Sequence, residues 1–390
     1  MKWFAHIDMD AFFASVELAS KPYFAKFPFA VGGSEKSRTV VSAASYKARE
    51  YGIKAGMSMF EAYRKCPSLI SVEPDMDKYV SISKEIFSIV ERIAGNVDIY
   101  SVDEGFFHAE SMDDAVMMAQ EIKKEIKKNL KITCSAGIAK NRLVAKMASG
   151  EMKPDGLTLV KDAYSYIGEK RVEDVVGIGR QTTKHLNALG IYYVRQLRDY
   201  PMNILKRHFN SYGFILREIS YGRDSVNMMW NLEDEIKSVG NTHTMEKDTM
   251  DRQTLLSLLS ILSEHVSFRM KHHNVEGNVA TLTVRYADFH TFTKQKKIQK
   301  HISSAEEIGK YSRIIFDTIK FAMPVRLLGI SISNLRPIGK QMKLEFSSDS
   351  KPAISNAIDE IREKYGEWAI MKCRSLEIKD RNVKGRRMTE

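Results

Sequence analysis

The sequence is poor in cysteine. Its 390 residues hold three, Cys66, Cys134 and Cys373, far apart and with no CxxC among them. An odd, scattered set speaks against a disulfide framework and against a zinc site, and it suits a reducing, cytoplasmic setting. Long apolar runs are missing too: no stretch approaches the ~20 residues of a membrane span, so no membrane insertion is expected. The opening MKWFAHIDMD already carries acidic side chains, so no signal peptide is expected there. Internal repeats and low-complexity segments are absent.

What is present is basic charge. Lys plus Arg number 60 against 49 Asp plus Glu, a formal net charge of +11. A surplus of this size favours a polyanionic partner, nucleic acid first and an anionic membrane surface second, although a soluble protein can simply be basic. The length allows two to four domains at ~150 residues each, and a 43% hydrophobic content supplies their cores.

The patterning predicts a strand at 3–8, with Asp10 as N-cap of a following helix. Further strands are expected at 29–32 and 38–43, a helix from about Ser45, and a long helix over 76–94. Residues 97–109 read as a β-hairpin with Asp103 and Glu104 at its turn. A helix over 112–129 and a strand over 132–139 follow. This β-α-β-β-α-β order predicts an α+β domain with an antiparallel-rich sheet and helices on one face. Residues 170–222 read as short helical segments punctuated by glycine, and 231–240 as a polar linker. A second α+β unit is expected at 241–335, with helices over 251–272 and 303–321 and strands over 277–287, 290–300 and 325–333.

Asp8 ends the first strand and the hairpin carries Asp103 and Glu104. If those strands are neighbours, three carboxylates converge, raise one another's pKa, and call for a hard divalent cation such as Mg²⁺. Two such ions ~3.5–4 Å apart serve in-line phosphoryl transfer. Equally, the acidic pair can be a solvated turn and Asp8 an unrelated strand end. Tyr46 and Arg49 lie three apart on one helix face and can grip a phosphate, or form an ordinary amphipathic face. Lys153, in MKPDG, can add a point charge to the same phosphates or be merely exposed. The segment VVGIGRQTTKHLNALGI (175–191) has a helix-hairpin-helix pattern. Its Gly177 and Gly179 would let backbone N–H groups approach a DNA phosphate, or make a tight interhelical turn. HTFTKQKKIQK (290–300) places Lys294, Lys296 and Lys297 on a strand, as a phosphate-facing surface or as a protected sheet edge.

Taken together, AHIDMDAFFASVE (5–17), SYKAREYGIKAGM (45–57), YSVDEGFF (100–107), GIAKNRLVAKMAS (137–149), MKPDGL (152–157) and VVGIGRQTTKHLNALGI resemble the Y-family DNA polymerases of the bacterial DNA polymerase IV type, in order and spacing. The resemblance covers roughly residues 1–335. It implies a right-hand, α+β multidomain architecture: palm at 1–10 and 74–165, fingers at 11–73, a helical thumb at 166–231, a linker at 232–240 and a little finger at 241–340. A tail at 341–390 would hold a helix near 353–365. It further implies that Asp8, Asp103, Glu104 and the Met9 main-chain carbonyl bind two Mg²⁺. Tyr46, Arg49, Lys153 and the N–H groups of Phe12 and Phe13 would bind the nucleotide, and Phe13 would act as steric gate against a 2′-hydroxyl. QMKLEF (341–346) resembles a sliding-clamp peptide, with Gln341, Met342, Leu344 and Phe346 entering the clamp.

The implied activity is low-fidelity, template-directed synthesis across damaged bases by a monomer, on primer-template DNA with deoxynucleoside triphosphates. Nothing in the chain looks like a proofreading exonuclease. Departures from the family pattern are Ala11, Val176, Gly105, Phe106 and His108; Gly105 is expected to loosen the second hairpin strand. The competing reading is a DNA- and clamp-binding protein that kept the fold and lost the chemistry.

Overall fold

The computed structural model describes residues 2–35, 37–224 and 236–338, with Ile361 and Lys364. The chain divides into two compact units, Met1–Glu233 and Asp234–Glu390.

The first unit opens with β1 (Trp3–Met9), α1 (Phe12–Ser20), β2 (Phe29–Val31), β3 (Ala43–Ala44), α2 (Tyr46–Glu50), α3 (Met59–Lys65), β4 (Ile70–Val72) and α4 (Met76–Ala94). It continues with β5 (Val97–Ile99), β6 (Glu104–Ala109), α5 (Met112–Leu130), β7 (Cys134–Ala139), α6 (Arg142–Ser149) and β8 (Leu157–Leu159). Four helices follow: α7 (Ala163–Gly168), α8 (Arg180–Ala188), α9 (Met202–Phe209) and α10 (Tyr212–Ser220).

The main sheet has the order β5-β6-β1-β7-β8. Every pairing in it is antiparallel except β7 with β8. Strand alternation sends Ala5, Ile7 and Met9 of β1 and Cys134, Ala136 and Ile138 of β7 to one face, where they pack on Tyr79, Ile86 and Val90 of α4 and Ala115, Ala119, Ile122 and Ile126 of α5. The helices do not all lie on that face, as the sequence had suggested. α6 covers part of the opposite one, where Ala139 packs with Val144, Ala145 and Ala148. Gly137 allows this: a Cβ there would stand 2.1 Å from the Ala145 carbonyl oxygen and 2.3 Å from the Ser149 nitrogen.

Two local expectations fail for identifiable reasons. The strand at 38–43 shrinks to Ala43–Ala44 plus a lone bridge from Val40 to Ser58. Ahead of it, polar side chains take up backbone groups: the Gly33 N–H donates to Thr39 Oγ1 and the Ser37 hydroxyl to the Ser34 carbonyl. Asp10 does not cap α1. Ala11 takes the N-cap place at φ 47°, with no side-chain cap, while the Asp10 carboxylate is buried elsewhere. Gly105 does not loosen its strand either. It pairs with both Ile7 and Ile99, and the Phe87 ring fills the space a Cβ would need. β2 pairs antiparallel with β3 and parallel with β4 in a small second sheet, over a core that includes Ala30, Val41, Ala48, Ile53 and Met59. The α7–α10 region has its own core around Leu186, Val194, Leu205 and Leu216.

The second unit contains β9 (Ser238–Thr249), α11 (Arg252–His272), β10 (Val275–Tyr286), β11 (Thr291–Ile302), α12 (Ala305–Asp317) and β12 (Val325–Pro337). The antiparallel sheet runs β11-β10-β12-β9. β9 begins at Ser238, so the last residues of the expected linker are already strand; 231–235 lie outside the described residues. Leu255, Leu258 and Leu262 of α11 and Ile308, Ile315 and Phe316 of α12 pack with Ala280, Leu282, Leu328 and Ile330 of the sheet.

Candidate active site

Asp8 sits directly opposite Glu104 in the β1–β6 register. A turn joining β5 to β6 makes this possible: the Tyr100 and Ser101 N–H groups both donate to the Glu104 carbonyl, each at 3.0 Å. Asp103 therefore stays in the turn, and its carbonyl accepts the Met9 N–H at 2.9 Å. The adjacent carboxylates thus escape strict strand alternation. Glu104 lies across from Asp8, while the Asp103 carboxylate accepts the Ser101 hydroxyl and adds negative potential at Asp8. Met9 buries its side chain, so only its main chain is available to this site.

His6, two residues before Asp8 on the same strand face, completes the group. Ligand atoms of His6, Asp8 and Glu104 lie within 4.8 Å of one another. His6 is fully buried, with Nδ1 2.8 Å from the Ser149 hydroxyl and Nε2 3.1 Å from a Glu104 carboxylate oxygen. Burial pushes its pKa down, favouring the neutral ring. The Ser149 hydroxyl already donates to the Lys146 carbonyl at 2.8 Å, so its oxygen accepts from His6 Nδ1–H, while Nε2 faces the Glu104 carboxylate without a formed hydrogen bond. Lys146 of α6 donates to Glu104, and Lys153 donates to Asp8. Burial works to raise the Glu104 carboxyl, but the contacts from His6 and Lys146 outweigh it and hold the pKa at about 2. At Asp8 burial wins over Lys153, and the pKa is raised.

Clustered carboxylate oxygens in a half-buried setting, already balanced by two ammonium groups, are the donor set a hard divalent cation takes. His6 Nδ1 is tied to Ser149, and the ring's contact with Glu104 helps hold that carboxylate ionised, so His6 reads as a support for Glu104.

Tyr46 and Arg49 stand together on α2, the guanidinium carbon 4.8 Å from the phenol ring centre. Among the described residues nothing bonds the buried Tyr46 hydroxyl. Burial, then the negative charges of Asp10 and Asp8, push its pKa to about 12. A buried donor without a partner is costly unless a ligand meets it. Phe12 and Phe13 open α1, whose first N–H groups have no side-chain cap and carry the positive end of the helix dipole. The Phe13 ring stacks on Tyr79 at 4.3 Å and 15°. Tyr79 is fully buried, and its hydroxyl donates to Glu17 at 3.0 Å. The gate candidate therefore rests on a fixed platform.

The remaining expected residues belong to other parts of the chain: Gly177 and Gly179 to the α7–α10 region, and Lys294, Lys296 and Lys297 to the second unit. Gly177, at φ 93°, and Gly179, the N-cap of α8, form a tight turn that leaves the α8 N-terminus without a side-chain cap. The segment before it is a short 3-10 turn over Val172–Asp174, not a full helix. Lys294 and Lys296 face the helix side of the second unit's sheet, opposite Leu282 and Ala280, whereas Lys297, opposite Val279, points to the other face. The three therefore do not form one row. Gln341, Met342, Leu344 and Phe346 lie outside the described residues, as does the helix expected near 353–365 apart from Ile361 and Lys364. No helix among the described residues is long and apolar enough to cross a membrane.

Sequence reasoning passed over His6, Lys146 and Tyr79. The i, i+2 spacing of His6 and Asp8 on a strand was the available signal for the first. The other two come to the site only by tertiary packing.

Comparison with known proteins gives the family. Residues 7–150 match the impB/mucB/samB family and residues 236–346 its C-terminal domain. A protein of Oceanobacillus iheyensis named DNA polymerase IV is 32% identical over 372 residues, spanning 93% of this chain and 89% of the relative. One of Leptospira interrogans with the same name is 35% identical over 343 residues, spanning 84% and 94%. Among solved structures, a Y-family DNA polymerase chimera superposes with a TM-score of 0.75 at 24% identity, over 86% of this chain and 99% of that one. An insertion ternary complex of Dbh DNA polymerase gives 0.57 at the same identity and coverage.

Proposed function

The chain belongs to the impB/mucB/samB family, the Y-family DNA polymerases of the DNA polymerase IV type, and from that premise we propose how its residues divide the work. It is a template-directed DNA polymerase of low fidelity that performs translesion synthesis, with DNA and deoxynucleoside triphosphates as its substrates. The primer 3′-oxygen bonds to the α-phosphorus, the bond to the bridging oxygen breaks, and pyrophosphate leaves.

Asp8, Asp103, Glu104 and the Met9 carbonyl are the residues that would hold two Mg²⁺. The observation that carries this is the face-to-face placement of Asp8 and Glu104 in the β1–β6 register, their ligand atoms within 4.8 Å of each other. Bound there, Mg²⁺ would lower the pKa of the primer hydroxyl and offset charge on the leaving group. The protein's own part is position and fixed charge. Tyr46, Arg49, Lys153 and the Phe12 and Phe13 amides receive the triphosphate; Lys153 exchanges Asp8 for phosphate as the nucleotide enters. His6 and Lys146 keep Glu104 ionised and aimed. Phe13, backed by Tyr79, lies under the sugar and offers a 2′-hydroxyl neither room nor a hydrogen bond.

We assign 1–10 with 74–165 to the palm, 11–73 to the fingers, 166–231 to the thumb and 241–340 to the little finger. The Gly177–Gly179 turn and Lys294, Lys296 and Lys297 would contribute sequence-blind phosphate contacts. QMKLEF would dock a sliding clamp, and the enzyme would work as a monomer in the cytoplasm, where its DNA is. The test is primer extension across a panel of damaged templates. Extension past at least one lesion that stops a high-fidelity polymerase supports the reading. Arrest before every lesion, with normal extension on undamaged template, removes the translesion role.

A further inference from the structure

The buried Asp10 carboxylate ties three pieces of chain together. One oxygen accepts the Ser135 hydroxyl of β7 at 2.8 Å, and the other accepts the Asp155 N–H at 2.8 Å. Ser135 Oγ in turn accepts the Gly156 N–H at 3.2 Å. Two successive amides of the 152–156 turn therefore end on the Asp10–Ser135 pair. The turn is gripped from its other side by α5. Lys123 Nζ donates to the Cys134 carbonyl at 2.7 Å, to an Asp155 carboxylate oxygen at 2.8 Å and to the Gly156 carbonyl at 3.1 Å. Lys127 holds the second Asp155 oxygen at 2.7 Å.

Such a grip is needed because the turn is an unfavourable shape. Asp155 sits at φ 56°, in the left-handed region. The chain also closes on itself so tightly that a Cβ at Gly156 would stand 2.2 Å from the Met152 carbonyl oxygen. What the turn presents is Lys153, whose ammonium reaches Asp8. Asp8 and Asp10 are two apart on one chain: the first faces the reaction centre, the second the turn that serves it.

We propose that Asp10, acting with Ser135, is a positioning residue for Lys153: it fixes the 152–156 turn so that the Lys153 ammonium is delivered to the incoming triphosphate. This rests on the reading of Lys153 as a triphosphate ligand. It assigns Asp10 a part in nucleotide binding in place of the helix cap its sequence position suggests. The alternative is that the Asp10–Ser135 pair stabilises the fold alone.

The experiment is a double-mutant cycle on the full chain bound to dideoxy-terminated primer-template, reading the dissociation constant of the incoming nucleotide. Ser135→Ala is the mild variant and Asp10→Asn the stronger one, each compared with Lys153→Ala and with the corresponding double variants. Lys153→Ala should weaken nucleotide binding by roughly 10- to 100-fold, as loss of a charge-assisted contact does. Ser135→Ala should weaken it about 5-fold in the wild-type background, and by less than about 2-fold once Lys153 is gone. Melting temperatures of the variants check that they fold; if Asp10→Asn does not, Ser135→Ala carries the cycle. A Ser135→Ala effect of equal size in both backgrounds overturns the proposal while leaving Lys153 as a ligand. No effect of Lys153→Ala overturns the ligand reading, and the proposal with it.

Discussion

Gly137→Ala is a single-methyl test of how the fold holds the site. The added carbon would stand 2.1 Å from the Ala145 oxygen, 2.3 Å from the Ser149 nitrogen and 2.8 Å from the Ala148 carbonyl carbon. All three are helix backbone, so no side chain can swing aside, and α6 must withdraw by about 1 Å to reach ordinary contact. Overpacking of this kind costs ~1–3 kcal/mol and occasionally more, and rigid neighbours put this case at the upper end, ~3 kcal/mol. At a urea slope of ~2 kcal/mol per M, that is a midpoint lower by ~1.5 M. The damage extends to chemistry, because α6 carries Ser149 and Lys146. The Ser149–His6 bond is 2.8 Å long, and withdrawal by about 1 Å breaks it, while Lys146 retreats from Glu104. Urea denaturation followed by far-UV circular dichroism, with primer extension on the same samples, reads both effects. A Gly137→Ala protein with an unchanged midpoint and full activity would refute the seating of α6 on β7 and the support it gives Glu104.

Three further outcomes are expected. Phe13→Ala should raise ribonucleotide incorporation at least ~10-fold, and Tyr79→Leu should do so more weakly by freeing the ring; unchanged selectivity in Phe13→Ala removes it from the gate, as single-nucleotide kinetics with ribo- and deoxynucleotides will tell. Glu104 has its folded pKa depressed from 4.5 to about 2, so its stabilising contribution is present above the unfolded value and lost as pH falls toward the folded one. In metal-free protein, the stability gap between wild type and Glu104→Gln should therefore shrink between about pH 6 and about pH 3; a constant gap in denaturation midpoints over that range contradicts the assignment. Replacing Gln341, Leu344 and Phe346 together by Ala should abolish stimulation by a sliding clamp and leave basal extension intact, and stimulation that survives removes QMKLEF from the clamp role.

Much of this was legible in the sequence where local chemistry and packing agree. The helix expected over 76–94 forms over Met76–Ala94, because its apolar period and the Asp75 cap point to the same answer. The Asp103–Glu104 hairpin was legible for the same reason: apolar alternation broken by an acidic pair marks a turn. Asp10 was not. An Asp just before an apolar helix fits the capping rule, but Ser135 lies 125 residues away in sequence and Asp155 another 20 beyond it, and the buried partners they offer outweigh one cap bond. Residues 38–42 carry strand-forming types, yet Gly33, Ser37 and Thr39 satisfy one another locally and leave little for a ladder. Gly105 read as a weak point because a sequence does not reveal that Phe87 occupies its missing side chain's place. His6 and Lys146 were hidden for a related reason: their meaning depends on α6 crossing the second face of the sheet, and it does so through Gly137.

The central claim is that Asp8, Asp103 and Glu104 form a metal-dependent nucleotidyl-transfer centre. Its most direct test is primer extension by wild type, Asp103→Ala and Glu104→Ala in Mg²⁺, with primer-template affinity measured alongside. Wild type should extend the primer only with divalent metal, and each variant should bind DNA normally while losing roughly 10³-fold or more in rate. A wild-type protein that extends nothing, or variants that extend at the wild-type rate, would contradict the account.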